Sequence, residues 1–386
     1  MGKNGTQTPI YLDHAAATPV NQDVLKAMQP FFVEEFYNPS AGYLAAKQVR
    51  KSVDTARRTV AKVLGVRPAE IVFTAGATEA NNLAIHGVMQ AFPGSHVVIS
   101  AIEHESVLEP AKQYDASVAT VLADGRIDVD ALAKTIQPNT VLVSIMYANN
   151  EIGTVQPVHE VAKLITQIRS ERVDAANKTP LFLHVDAAQA PLYLDLHPGR
   201  LGIDLMSLNG GKIYGPKQSG ALFVRTGVNL QPQVVGGGQE FGLRSGTENV
   251  PAIVGFAKAL EMAQQQRNDE SKRLAECSQH FIDLLKEAAP SIQINGSKKH
   301  RLPNNVHITI PGIDNERIMM ELDERGIQCA VGSACSASND EPSHVLKAIG
   351  LTDGEAQASL RFTLGRQTTK EQLAFVVRTL KDLIHG

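Results

Sequence analysis

The sequence predicts an α/β protein: a large domain with a mainly parallel sheet covered by helices, followed by a smaller α+β C-terminal domain. Three observations carry this expectation. From about residue 45 to 260, apolar runs of four to six residues alternate with longer stretches of helical periodicity. The runs are nearly continuous in Val, Ile and Leu, which suits strands buried on both faces of a parallel sheet. After residue 261 the texture changes to a charged helical stretch, two strand-like segments and a Gly/Ser/Ala-rich loop.

In chain order, residues 1–18 are expected to pack as an N-terminal segment on the smaller domain, which 262–386 forms; 19–261 make the large one. Within the large domain, 45–64 reads as a helix, 71–73 as a strand, and a helix starts near Asn81 and runs to 91. Strands are expected at 97–99, 118–122, 141–146, 181–185, 204–208 and 221–224, with helices at 129–136 and 158–168. The C-terminal part reads as a helix over 264–288, a strand over 305–310 and a helix over 316–325. A loop at 332–342, a strand at 359–364 and a final helix from Thr369 complete it. Ligands of such sheets bind beyond the carboxyl ends of the strands, so the chemistry is expected there.

Composition narrows the function classes. At 386 residues the chain has room for two to three domains, and 43% apolar with 20% charged residues is ordinary globular composition. Thirty-seven basic against forty acidic side chains, with no dense Lys/Arg run, give a nucleic acid or an anionic membrane no electrostatic support. Trp is absent and aromatics are 5%, which disfavours base-stacking platforms. The cysteines Cys277, Cys329 and Cys335 are too few and too irregularly spaced for a disulfide framework or a zinc site, so no metal is expected. Residues 1–14 hold no apolar core of signal-peptide length, and a cytoplasmic protein is expected.

The strongest chemical pair is Asp186, at the end of one apolar strand, and Lys212, in the glycine turn Asn209-Gly210-Gly211 after the next. An Asp there can keep a pyridine nitrogen protonated, and a Lys held in a tight turn can form a Schiff base with an aldehyde. Together they are the minimum for pyridoxal 5'-phosphate; singly, each reads equally as a capping Asp and a solvated loop Lys. Gln189 follows three residues after Asp186. The turn Ala75-Gly76-Ala77-Thr78-Glu79 can present helix N-terminal amides and the Thr78 hydroxyl to a phosphate, or serve as plain capping.

His104, beyond the strand ending at Ser100, is placed to stack on a cofactor ring and move protons, or to be structural. Asn149, Asn150 and Glu151 follow another apolar run and either reach the cofactor or form the turn. Cys335 stands in a small, polar stretch from Val331 to Asp340, where a thiol is exposed and able to act as a nucleophile. Cys277 and Cys329 are expected to be buried and inert. Arg361 can clamp a substrate carboxylate with its planar fork, or pair with an acidic neighbour.

Taken together, these residues resemble the cysteine desulfurases, pyridoxal-phosphate enzymes of fold type I in the aminotransferase class V group. The resemblance runs nearly end to end: Tyr11-Leu12-Asp13 through Thr18-Pro19, Asn38-Pro39-Ser40, Gly76-Ala77-Thr78-Glu79, Glu103-His104, and Asn149-Asn150-Glu151-Ile152-Gly153. It continues with His184-Val185-Asp186, Lys212-Ile213-Tyr214-Gly215-Pro216-Lys217, Arg244-Ser245-Gly246-Thr247 and Gly332-Ser333-Ala334-Cys335. The last motif is similar to the branch that supplies sulfur for iron–sulfur clusters and tRNA thiolation.

The resemblance implies an L-cysteine desulfurase. Lys212 would hold pyridoxal 5'-phosphate as a Schiff base, with Asp186 on the ring nitrogen, Gln189 on the phenolic side and His104 over the ring. Ala77, Thr78, Asn150, Asn209 and Gly211 would complete the cofactor site, with Thr247 supplied by the second subunit of a homodimer. Arg361 and Asn38 would bind L-cysteine, and Cys335 would carry the sulfur as a persulfide to an acceptor protein. One departure stands out: the family usually has Ser-Gly-His-Lys where this chain has Asn209-Gly210-Gly211-Lys212, so two phosphate-contacting side chains are replaced. The alternatives are a selenocysteine lyase or other fold type I enzyme, and a weakly active scaffold homologue with impaired cofactor binding.

Overall fold

The computed structural model describes residues 9–332 and 342–385. Its strands are β1 (Ile10–Tyr11), β2 (Ile71–Thr74), β3 (His96–Ser100), β4 (Asp115–Ala119), β5 (Thr140–Met146) and β6 (Phe182–Asp186). There follow β7 (Leu205–Asn209), β8 (Gly220–Val224), β9 (Gln293–Ile294), β10 (Asn305–Thr309), β11 (Ile327–Gln328) and β12 (Ser359–Thr363). Seven of them form one sheet in the order β2-β8-β7-β6-β5-β3-β4. β8 runs antiparallel to both β7 and β2, while the pairs from β7 across to β4 are parallel. The sheet is therefore mainly parallel, as its apolar strands predict.

Both faces of this sheet are covered because its strands are apolar on both sides; every residue of β5 is buried. On one face Val49, Val53 and Val60 of the helix Leu44–Leu64 pack with Phe256 and Leu260 of the helix Val250–Ala288. On the other, Leu83, Ala84 and Val88 of the helix Ala77–Ala91 meet Val107 and Ala111 of the helix Glu105–Ala111. β4 covers Asp115–Ala119, not the 118–122 expected from apolarity. As an edge strand it takes its place from pairing with β3, His96 opposite Asp115, and four of its five residues need no burial.

A second core gathers Leu12, Phe281, Leu285, Val306, Ile308, Leu360 and Phe362 around the sheet β12-β10-β9. Alternation along β10 and β12 puts Val306, Ile308, Leu360 and Phe362 on that core. It leaves Asn305, His307, Thr309, Ser359, Arg361 and Thr363 on the opposite face, which is also buried. The helix expected over 264–288 starts at Val250, where Asn249 caps it and Pro251 occupies its first turn. Its 39 residues run unbroken past residue 261, the first half on the large core and the second on the small one. The N-terminal segment joins in through β1, which pairs parallel with β11.

Candidate active site

The carboxyl ends of β3, β5, β6 and β7 open on one edge of the large sheet, where Asp186, Gln189, Lys212 and His104 stand. β7 ends at Asn209 and the chain turns sharply through Gly210–Lys212. The turn needs glycine at 210: a Cβ there would stand 2.1 Å from Ser219 Oγ. Lys212 Nζ donates to the Ala15 carbonyl at 2.5 Å, and Gln189 Nε2 donates to the same oxygen at 3.1 Å. Asp186, 7% exposed at the end of β6, accepts on both oxygens: from Ala188 N at 2.9 Å and Asn81 Nδ2 at 2.8 Å.

Next to this group the helix Ala77–Ala91 begins four residues earlier than the periodicity suggests. Gly76, at φ +126°, provides the turn, and no side chain caps the helix. Ala77 is buried and Thr78 is exposed on the first turn, while Glu79 pairs with Arg244 Nε at 2.8 Å. The open amides and positive end of the helix dipole suit an anion. Asn209 lies beside Gly76, but its Oδ1 accepts from Gly211 N at 3.0 Å, so that oxygen is engaged in its own turn.

His104 is half-buried and caps the helix Glu105–Ala111 through Nδ1, which accepts from Ser106 N at 3.1 Å. Its neighbour Glu103 is fully buried, with Oε1 accepting from Met146 N at 2.7 Å. Burial pushes the Glu103 carboxyl well above the usual range, the backbone bond from Met146 opposing that and the charge of Asp186 adding to it. His184, between Ser144 and Ser207 hydroxyls, is lowered to about 4 by burial, Asp186 opposing the shift.

Arg361 is 1% exposed on the buried polar face of β12. Nη2 donates to Asp13 Oδ1 at 2.7 Å and Nη1 to the Asn150 carbonyl at 3.2 Å, while Nε is buried without a partner. The pairing reading of this Arg is thus realised. His307, opposite it on β10, is lowered to about 3 by burial, then by Arg361 and Arg301. Asn149 forms the turn, its Oδ1 accepting from Glu151 N and Ile152 N.

Asn38 and Thr247 lie exposed, Asn38 with its Oδ1 accepting from Ser40 N. Cys335 lies outside the described residues. Cys277 is buried, and burial pushes the partly buried Cys329 thiol up to about 12. Among the described residues no group of His, Cys, Asp and Glu is placed to hold a metal, and no helix is long and apolar enough to cross a membrane.

The donor set fits pyridoxal 5'-phosphate. An amine for the aldehyde, a buried carboxylate for the ring nitrogen and an uncapped helix N-terminus for the phosphate stand at one sheet edge, and Arg361 Nε is an orphaned buried donor. The chain belongs to the aminotransferase class V family, whose model matches residues 10–376, a family of pyridoxal-phosphate enzymes. Its relatives there are cysteine desulfurases. It is 39% identical to cysteine desulfurase IscS of Dictyoglomus turgidum over 97% of this chain and 94% of that one. It is 40% identical to cysteine desulfurase IscS 1 of Archaeoglobus fulgidus, over 97% and 96%. Among solved structures, a NifS-like protein superposes with a TM-score of 0.89 at 31% identity, covering 98% of this chain and all of the other. SspA in complex with cysteine gives 0.79 at 36% identity, over 92% and 98%.

Several site residues escaped the sequence reading. Asn81 and Ser106 link Asp186 to His104, Asp13 holds Arg361, and the Ala15 carbonyl gathers Lys212 and Gln189. Asn81, one turn after Thr78, and Ser106, two residues after His104, had a positional signal; the carbonyl of Ala15 had none.

Proposed function

We propose that the chain is a pyridoxal-phosphate-dependent L-cysteine desulfurase that forms L-alanine and passes sulfur on as a persulfide on Cys335. The observation that carries this reading is the meeting of Lys212, Gln189 and Asp186 at the ends of β6 and β7, in a chain whose relatives are cysteine desulfurases. When bound, the cofactor supplies an electron sink for the pair left as the substrate α-C–H bond breaks. Lys212 would hold it by its amine, Asp186 by the ring nitrogen and Gln189 on the phenolic side. The first turn at Ala77 and Thr78, with Asn209 and Gly211, would hold the phosphate, and His104 and Asn150 would flank the ring.

In this reading Arg361, held flat by Asp13 and the Asn150 carbonyl, orients the L-cysteine carboxylate, with Asn38 assisting. Lys212 Nζ, once displaced by the substrate amine, would be the free base that takes the α-proton. The Cys335 thiolate then attacks the substrate sulfur: an S–S bond forms as the Cβ–S bond breaks, and the electron pair stays on the carbon fragment that becomes L-alanine. A homodimer fits the exposed apolar residues Phe32, Val33, Phe36, Tyr43 and Leu44, and Thr247 would complete the neighbouring site. We assign the persulfide to an acceptor protein such as an iron–sulfur scaffold or a tRNA-thiolation protein, and the enzyme to the cytoplasm, where thiols stay reduced. The large domain would span 19–261 and the small one, with 1–18 packed on it, 262–386.

Engagement of Asn209 Oδ1 by Gly211 N favours a second reading, a scaffold homologue with loosened cofactor binding. The test is release of alanine and sulfide from L-cysteine by purified protein with added cofactor and a reductant. Equimolar, multiple-turnover products support the desulfurase, and Cys335→Ala then keeps the cofactor colour and loses sulfur transfer. No alanine from a folded protein favours the scaffold.

A further inference from the structure

The buried amide of Asn81 has no part in the reading above. Its Nδ2 makes two bonds, 2.8 Å to Asp186 Oδ2 and 2.9 Å to Ser106 Oγ. An amide nitrogen only donates, so it gives one hydrogen to each partner. The Ser106 hydroxyl thereby accepts from Asn81, and its own proton is left for His104 Nδ1 at 2.9 Å. The Ser106 backbone N–H points at the same Nδ1 from 3.1 Å. A backbone amide cannot accept, so Nδ1 is an acceptor and the ring proton sits on Nε2. His184 contrasts with this, because both of its ring nitrogens face hydroxyls that can work in either direction.

We infer that Asn81 and Ser106 are positioning residues that fix His104 as its Nε2–H tautomer, leaving proton transfer at the substrate carbon to Lys212. The inference rests on the desulfurase reading for its kinetic consequence and on the hydrogen bonds alone for the tautomer. With Nδ1 holding two donors and Nε2 carrying hydrogen, the ring has no lone pair for a substrate proton. It can lie against the cofactor and donate from Nε2. Protonating Nδ1 would break the cap of the helix Glu105–Ala111 and the bond to Ser106 together. The same Asn81 nitrogen holds Asp186, so the carboxylate and the ring are set by one amide.

The experiment uses holoenzyme labelled with nitrogen-15 in histidine, the His104 signals being identified by their loss in His104→Gln. The expected spectrum shows a proton-free Nδ1 and a protonated Nε2. Asn81→Leu, similar in size and without donors, is expected to lower kcat about tenfold or more with KM for L-cysteine little changed, as outer partners that orient a site group do. Ser106→Ala deletes one oxygen, keeps the backbone cap and is expected to fold normally. It is expected to lower kcat less than Asn81→Leu and to shift the proton-free Nδ1 signal by the loss of one donor while the backbone cap holds, and Ser106→Thr restores both readouts. A protonated Nδ1 in the parent overturns the inference, as does an unchanged kcat with an unshifted Nδ1 signal in both variants. A parent with the expected tautomer that forms no alanine overturns the desulfurase reading instead.

Discussion

Replacing Gly211 with His tests whether the altered turn before Lys212 governs cofactor retention. A Cβ at 211 would stand 3.5 Å from Asn209 Oδ1, 3.6 Å from Lys217 Cγ and 3.7 Å from Lys217 Cα, all ordinary contacts. Backbone bonds at 211 would persist, since Gly211 N donates to Asn209 Oδ1 and its carbonyl accepts from Thr18 N and Oγ1. An imidazole reaching the phosphate adds one charge-assisted hydrogen bond, about 1.5–3 kcal/mol. That is roughly ten- to a hundredfold in cofactor affinity. Restricting the unfolded chain at a former glycine adds about 0.4–1 kcal/mol of stability. The assay is titration of the apoprotein with pyridoxal 5'-phosphate, followed by absorbance, with thermal unfolding alongside. Gly210→Ala is the internal contrast: its Cβ meets Ser219 Oγ at 2.1 Å and the Pro216 carbonyl at 3.0 Å, so it should destabilise the turn and weaken binding. A folded Gly211→His protein with unchanged affinity would show that the phosphate does not lie beside residue 211.

Three further outcomes follow from buried ionisable groups. Arg361→Gln breaks the ion pair with Asp13, whose side chain keeps some solvent, so the loss is expected near the low end of the range for buried pairs, about 3 kcal/mol in urea unfolding. Arg361→Lys should keep most of that stability and still raise KM for L-cysteine, because a point charge does not replace a fork; an unchanged KM would remove Arg361 from the substrate site. Glu103 is shifted upward by burial, so the folded state keeps a proton that the unfolded chain releases above its ordinary carboxyl range. Its contribution is therefore present at low pH and lost as pH rises, by up to about 1.4 kcal/mol per unit. Glu103→Gln, which keeps an acceptor for Met146 N, should match the parent near pH 4 and be more stable at pH 8; equal stabilities at both would refute the shift.

The amino-acid sequence by itself determined the strand–helix alternation of the large domain, the mainly parallel character of its sheet and the candidates Asp186, Gln189 and Lys212. Those features are local: apolar runs mark buried strands, glycines mark the turn, and both lie within a few residues of the chemistry. Strand β4 was misplaced because an edge strand answers to its neighbour's hydrogen bonds more than to its own apolarity. Tertiary structure alone decided that one carbonyl, Ala15 O, gathers Lys212 and Gln189, although it lies 197 and 174 positions away from them. It alone tied Asp13 to Arg361 across 348 positions and strung Asp186, Asn81, Ser106 and His104 on one hydrogen-bond chain. Backbone carbonyls carry no residue identity, and the partner of a buried polar side chain is set by which strand ends and helix starts the packing brings together.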